Sequence, residues 1–343
     1  MKRIFAIALL LVITLSACFY IFYYADEHKK KEQEVIADAK KVVVITDLPS
    51  DMFEPVKQSF YNSKKINVEV NYINTVDLKN IDPVILKKSD IIITSQENLN
   101  KLKSMRKIYK FTSEKTDTVL NIFKDKDGFW TGIWINPTIF IVNKKFADNN
   151  PDFVYSWDEI FNHINIRLSM TDFIASDITK DLLMSMTEHF GEDGIFDRLW
   201  IANKHVIQYG KYLSTPSRMA AMDKCDIGIS DYNEAKRTEK EGLPVIISYP
   251  IDGTAWYLYG IASLQENNSE ESIEFINWIL DSSNYKKNME DNKNYYLYSN
   301  DMKVNSDKFG KDLIFWDLEK NYSDEGKKTL LDLWVEKIRF GRN

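Results

Sequence analysis

Val42-Val43-Val44-Ile45-Thr46-Asp47-Leu48-Pro49-Ser50 is the stretch from which the fold follows. A short β-branched run reads as a strand, and the polar residues behind it can cap a helix that we place through Phe60. The same pattern then returns. Ile66-Asn67-Val68-Glu69-Val70-Asn71-Tyr72 alternates as a strand, and Asp90-Ile91-Ile92-Ile93-Thr94-Ser95 is another short apolar strand that ends in hydroxyls. Alternation of strand and helix predicts an α/β fold with a mainly parallel sheet. Ligands of such sheets bind beyond the carboxyl ends of the strands, which puts Thr46, Asp47, Thr94, Ser95 and Gln96 where a ligand would sit. Thr46 and Asp47 serve equally well as plain helix caps.

Further along, the texture changes at Asp125-Lys126-Asp127-Gly128-Phe129-Trp130-Thr131-Gly132 and continues through large residues to Asn143. Asp-Gly before alternating large residues signals a hairpin, so two aromatic-rich strands are expected here. A calcium loop is rejected, because the glycine comes two positions early and no glutamate follows at the required offset. Ile246-Ile247-Ser248-Tyr249-Pro250 is a short apolar run ended by proline, a return strand, and Asp252-Gly253 behind it is a turn.

In the other direction lies a charged run from Asp26 to Lys41 with little to bury, a tether. Before it, Lys2 and Arg3 precede an uncharged run from Ile4 to Tyr24 that contains Leu15-Ser16-Ala17-Cys18. A basic start and an apolar core mark an export signal, and small residues before a cysteine resemble the bacterial lipobox, in which Cys18 becomes the acylated first residue. The run also approaches the length that spans a bilayer, so an uncleaved anchor fits the same residues.

Of 343 residues, 44% are hydrophobic and 28% charged, values of a globular body with about two domains. A net charge of −6 and the lack of a basic stripe leave no footprint for nucleic acid. With Cys18 lipidated, Cys225 stands alone and reads as a small buried hydrophobe. The histidines 28, 163, 189 and 205 show no metal-ligand spacing. Neither a Gly-x-Ser-x-Gly, nor a His-Glu-x-x-His, nor a Walker loop, nor a dinucleotide fingerprint occurs, so neither an enzyme nor a cofactor is expected.

A resemblance emerges from the order of several segments. Asp127-Gly128-x-Trp130-x-Gly132, Val142-Asn143-Lys144 and Ser156-Trp157-Asp158-Glu159-Ile160 come first, followed by the run Leu168 to Asp177. Cys225-Asp226-Ile227-Gly228-Ile229-Ser230-Asp231-Tyr232, Gly242 to Val245, Pro250 to Thr254 and Phe275 to Leu280 complete it. From about residue 41 to 335 the chain resembles the bacterial extracellular solute-binding proteins of the ferric-ion, sugar-phosphate and phosphonate class, the type II periplasmic binding proteins. The resemblance implies two α/β lobes with the ligand in the cleft between them and closure about a hinge. It implies lobe 1 over 41–140 plus 252–343 and lobe 2 over 141–251, behind a signal or anchor (1–25) and the tether (26–40). It also implies a monomer that delivers its solute to the permease of an ABC importer, or presents it to a membrane histidine kinase, on the outer face of the cell membrane.

Ligand chemistry is less constrained. Iron binders of the family carry two adjacent tyrosines where this chain reads Tyr232-Asn233. Ser169, Thr171 and Ser176 surround a helix start whose amides attract phosphate or carboxylate, so an anionic organic solute is expected, although Asp177 would repel it. Trp130, Trp134, Tyr232 and Trp256 are candidates to stack a sugar ring, or else core residues. The expected ligand set is Thr46, Asp47, Ser95, Trp134, Asp172, Ser176, Tyr232, Asp252 and Gly253. A polyamine becomes the natural ligand if Asp47, Asp172, Asp231 and Asp252 all point inward.

Overall fold

The computed structural model describes Tyr20 and residues 40–74, 81–302 and 306–341. The expected export signal or anchor, Cys18 and the tether lie, Tyr20 and Lys40 apart, outside these residues. Among the described residues no helix is long and apolar enough to cross a membrane.

The run around Val42 forms β1 (Lys41–Thr46), and the polar residues after it lead into α1 (Ser50–Lys64). Met52, Phe53, Val56 and Phe60 line one side of α1 and are buried. Phe60 meets Phe275 and Trp278 edge-on at 4.9 and 5.1 Å. β1 pairs in parallel with β2 (Asn67–Tyr72) and with β3 (Ile91–Ser95). β3 then pairs antiparallel with β9 (Trp256–Ser263), and β9 with β4 (Thr131–Asn143).

β4 belongs to both halves of the molecule. Its stretch Thr131–Pro137 pairs with β9 in the first sheet, and Thr138–Val142 pairs antiparallel with β7 (Ile227–Asp231) in the second. From β7 the second sheet continues in parallel through β5 (Leu168–Thr171) to β6 (Val206–Gly210). β8 (Val245–Ser248) pairs with the second half of β4, and β10 (Leu297–Tyr298) with the first. The expected aromatic hairpin is therefore one long strand that crosses between lobes. Gly128, at φ +81°, does make the turn, with Asp125 accepting from the amides of Asp127 and Phe129. Only the bridge from Lys124 to Thr131 precedes the strand, because the chain ahead of it coils into a single 3-10 turn.

The return crossing runs from β8 to β9 beside β4. Thr138 N donates to Ala255 O at 2.9 Å, and Thr254 Oγ1 donates to Thr138 O at 2.6 Å, which laces the two crossings together. One apolar core gathers Phe53, Phe60, Trp134 and Trp278, and another gathers Trp157, Phe161, Phe173 and Trp334. The resemblance implies that residues 252–343 belong to lobe 1. Trp316, Leu318, Trp334 and Ile338 instead pack into the second core, so we propose that the chain's last helical segment belongs with lobe 2. The physical reason is the Trp334 indole, which packs edge-on against Phe173 at 4.8 Å and donates to Asp172 at 2.9 Å.

Candidate ligand-binding cleft

The registers put the strand ends together. Ser95 at the end of β3 lies opposite Tyr259 of β9, and Asp231 at the end of β7 lies opposite Thr138, one residue past the point where β4 leaves β9. The carboxyl ends of both sheets thus meet at the crossing.

On the lobe 1 side, Ser95 caps α2 (Gln96–Ser104), its hydroxyl accepting from Asn98 N at 3.4 Å. Asn98 Nδ2 donates to Asp47 Oδ2 at 3.1 Å and to Thr94 Oγ1 at 3.0 Å, which holds Asp47 beside the strand ends. Tyr257, at the start of β9, hydrogen-bonds Ser95, and Asp181, Asp177 and Asp47 are its charged neighbours. Burial above all holds the phenols of Tyr257 and Tyr259 well above their ordinary range. Thr46 is fully buried and already committed, donating to Ile93 O at 2.8 Å and accepting from Leu48 N at 3.1 Å.

The lobe 2 side begins with α4 (Asp177–Phe190), which follows α3 (Trp157–Asn162) in the chain. Ser176 Oγ accepts from Thr179 N at 3.2 Å and Thr179 Oγ1 accepts from Ser176 N at 3.1 Å, a reciprocal capping box. The helix start expected to seat an anion is therefore closed on itself and carries Asp177. Ser169 is fully buried and donates to Gln208 O at 3.3 Å. A cavity of about 500 Å³ separates this wall from lobe 1, lined by Ser95, Asn98, Lys101, Asp177, Asp181 and Tyr257 among others.

Five of the expected ligand residues are placed elsewhere. Trp134 is fully buried in the first core, edge-on to Tyr285. Asp172 spends both oxygens on the chain's end, accepting from Trp334 Nε1 at 2.9 Å and Arg339 Nε at 2.7 Å. Asp252 accepts from Trp157 N at 3.1 and 2.9 Å, and Gly253 O accepts from Trp157 Nε1 at 2.9 Å, so this turn clamps the start of α3. Gly253 sits at φ +84°, and a Cβ there would come within 2.9 Å of Trp316. Tyr232 is not brought to Ser176 either. It bonds Tyr249 and lines a separate cavity of about 310 Å³ with Tyr249, Tyr296 and Tyr298. Of the aromatic stacking candidates, Trp130 and Trp256 are buried in the first core as well.

Asp231, named in the sequence only as one of four conditional acids, is the most informative residue of the cleft. It ends β7 and caps α6 (Tyr232–Lys240), which follows α5 (Thr215–Ala221). Its Oδ1 accepts from Asn136 Nδ2 and Glu234 N, both at 3.1 Å, whereas Oδ2 is buried with no hydrogen-bond partner. Burial first, and Glu234 second, push this carboxyl up to about 6. The strand-end rule that selected Ser95 would also have found it. Tyr257 gave no such signal, since it begins a strand instead of ending one.

The last helix, α7 (Asp324–Leu333), reaches across the cleft mouth. Lys101 Nζ lies 2.8 Å from Asp324 and Lys327 Nζ 2.5 Å from Glu97, joining α7 to α2.

The family described as bacterial extracellular solute-binding protein matches residues 87–320, and the chain belongs to that family. Membership places its work outside the cytoplasm. An uncharacterized protein of Haemophilus influenzae is 26% identical over 165 residues, 47% of this chain, and the chain spans about half (48%) of that curated relative's length. Among solved structures, the periplasmic binding protein AfuA from Actinobacillus pleuropneumoniae, with exogenous fructose-6-phosphate bound, superposes with a TM-score of 0.64. It is 18% identical, over 88% of this chain and 99% of that one. A Bordetella ferric binding protein gives 0.70 at 15% identity, over 88% of this chain and 100% of that one. At these identities the likeness establishes the fold, that of a two-lobe type II periplasmic binding protein.

Proposed function

We propose that this protein captures a small organic cation, an amine, between its lobes and delivers it to the permease of an ABC importer. The observation that carries the reading is the set of carboxylates at the strand ends. Asp47, Asp177 and Asp181 act on Tyr257 by their charge, as Asp47 and Asp231 do on Tyr259. Lys320, buried beside them, is committed to Asp181 at 2.6 Å and stacks on Trp256 at 4.2 Å. Asp177 is likewise paired with Lys180 at 3.0 Å, whereas Asp231 keeps a buried oxygen without a hydrogen bond, to meet a cationic ligand.

The anion expected from Ser176 is not favoured by this arrangement. The capping box occupies the hydroxyls and amides of Ser176 and Thr179, and Asp177 stands in the first turn. Like unit charges 4 Å apart repel by roughly 4 kcal/mol at an effective dielectric of 20. A tyrosinate iron site is disfavoured for a different reason. Tyr232 is turned to Tyr249, and Asn233 is held by Asn136 Oδ1 and Tyr295 N. A sugar phosphate is the second reading, carried by Lys101, Lys180, Lys327 and Lys328 at the mouth of the cleft and by the likeness to AfuA. Presentation to a histidine kinase would use the same cleft.

A thermal-shift screen of the full chain with 1,4-diaminobutane, spermidine, glucose 6-phosphate, phosphonates and ferric citrate tests the reading. An amine in hundredfold excess over its Kd is expected to stabilise by about 2.7 kcal/mol. Stabilisation by the sugar phosphate alone would reverse the assignment. For the anchor, we propose acylation at Cys18. Cys18→Ser is then expected to abolish lipid labelling, and membrane retention without labelling would mean an uncleaved helix.

A further inference from the structure

We infer that lobe 2 carries a subsite for one primary ammonium group, formed by Asp231 with the hydroxyls of Thr138 and Thr171. This rests on the cation reading above and adds the chemical group that is recognised. A recess of about 20 Å³ opens at the ends of β5 and β7, lined by Thr138, Thr171, Thr179, Ser230 and Asp231 against the apolar walls of Ile178, Leu213 and their neighbours. Such a volume holds about one water-sized group. An ammonium is that size and brings three donors.

Asp231 supplies the acceptor. The residue is 6% exposed, its Oδ1 is oriented by Asn136 Nδ2 and Glu234 N, and its buried Oδ2 has no partner. A buried acceptor left unmade is costly, so a carboxylate fixed in place with one oxygen idle marks a place where a donor is to be received. Thr171 Oγ1 spends its proton on Tyr212 O at 3.3 Å, which leaves its oxygen free to accept. The group received must therefore donate and be small, and the ionised carboxylate favours one that also carries positive charge. A guanidinium is too large for the recess, and a trimethylammonium is both too large and without N–H.

Isothermal titration calorimetry on the full chain compares 1,4-diaminobutane with its fully N-methylated hexamethyl analogue, in wild type and in Asp231→Asn. We expect the diamine to bind at least tenfold tighter than the analogue. Asp231→Asn should lose ten- to a hundredfold of diamine affinity and bring the two probes to within about threefold, because hydrogen bonds to charged groups are the ones removed. Thr171→Val is a second variant, expected to narrow the same preference while the carboxylate stays. Equal binding of diamine and analogue by wild type, or undiminished diamine affinity in Asp231→Asn, would sink the subsite and leave the cation reading standing. Binding of neither probe, with glucose 6-phosphate bound instead, would overturn both.

Discussion

Asp231→Asn is expected to change stability in a pH-dependent way that few substitutions can mimic. Burial moves this carboxyl from the ordinary 3.8 to about 6, so the folded protein keeps the proton at a pH where the unfolded chain has released it. The penalty of ionising the buried group is small at pH 4, grows as pH rises from about 4 to 6 and is nearly complete above 6. At 1.36 kcal/mol per pH unit, the interval corresponds to roughly 3 kcal/mol at pH 8. Asparagine is neutral throughout, caps a helix as well as aspartate and keeps the Oδ1 acceptor. Its amide nitrogen takes the place of Oδ2 at a cost of about 1–3 kcal/mol, but that cost applies at every pH. The quantity to read is therefore the change in variant-minus-wild-type stability between pH 4 and pH 8, expected to favour the variant by roughly 2–3 kcal/mol. Urea unfolding followed by tryptophan fluorescence measures it, and saturating 1,4-diaminobutane should abolish most of the difference by compensating the charge in wild type. A difference that stays flat with pH would show that Asp231 is not held in the environment described.

Gly253→Ala is expected to destabilise by at least 1–2 kcal/mol in thermal melts, from the left-handed backbone and the Trp316 contact, while leaving amine affinity intact because the turn clamps α3 and not the ligand. Lys320→Met should cost about 3–5 kcal/mol, since it strands Asp181 in the cleft wall; little change in urea unfolding would mean that the pair is dispensable. Lys101→Glu with Lys327→Glu should enlarge the ligand-free protein in small-angle scattering, and a high-salt buffer should enlarge wild type in the same direction. Unchanged scattering in both would remove α7 from any part in closure.

The fold was legible where local pattern and burial coincide. Val42, Val44 and Ile45 are fully buried, and a run of such residues has few alternatives to an interior strand. The strand-end rule brought out Asp47 and Ser95 because it depends on sheet direction, which alternating strand and helix reveal. The misplaced residues fail for a common reason. Asp172 and Asp252 look like cleft acids from their neighbours, yet their partners, Arg339 and Trp157, are 167 and 95 residues away. Likewise, the pattern around Trp134 announces a strand but not which face looks outward. The chain's last helical segment had no local signal for its lobe, since its packing on the second core depends on Trp334, Ile338 and Arg339 finding Phe173 and Asp172 far away in sequence.

How the lobes close follows from which contacts are strong and which are weak. The hinge is tied by short buried bonds between Thr138, Thr254 and Ala255, and Lys320 joins it to the second lobe by donating to Trp256 O and to Asp181. The cleft mouth is spanned by the Lys101–Asp324 and Lys327–Glu97 pairs, whose members are partly exposed apart from the more buried Lys327. Exposed pairs of this kind contribute about 0–1 kcal/mol each and weaken in salt, so they can be broken and remade without holding the protein shut. The deciding contribution must then come from inside the cleft, where on the proposed reading a bound cation would meet a low-dielectric carboxylate. Thr138 stands at both places, its side chain lining the recess of Asp231 and its backbone bonded across the hinge. A ligand that fills the recess as proposed would therefore act on β4, the strand that pairs in both sheets.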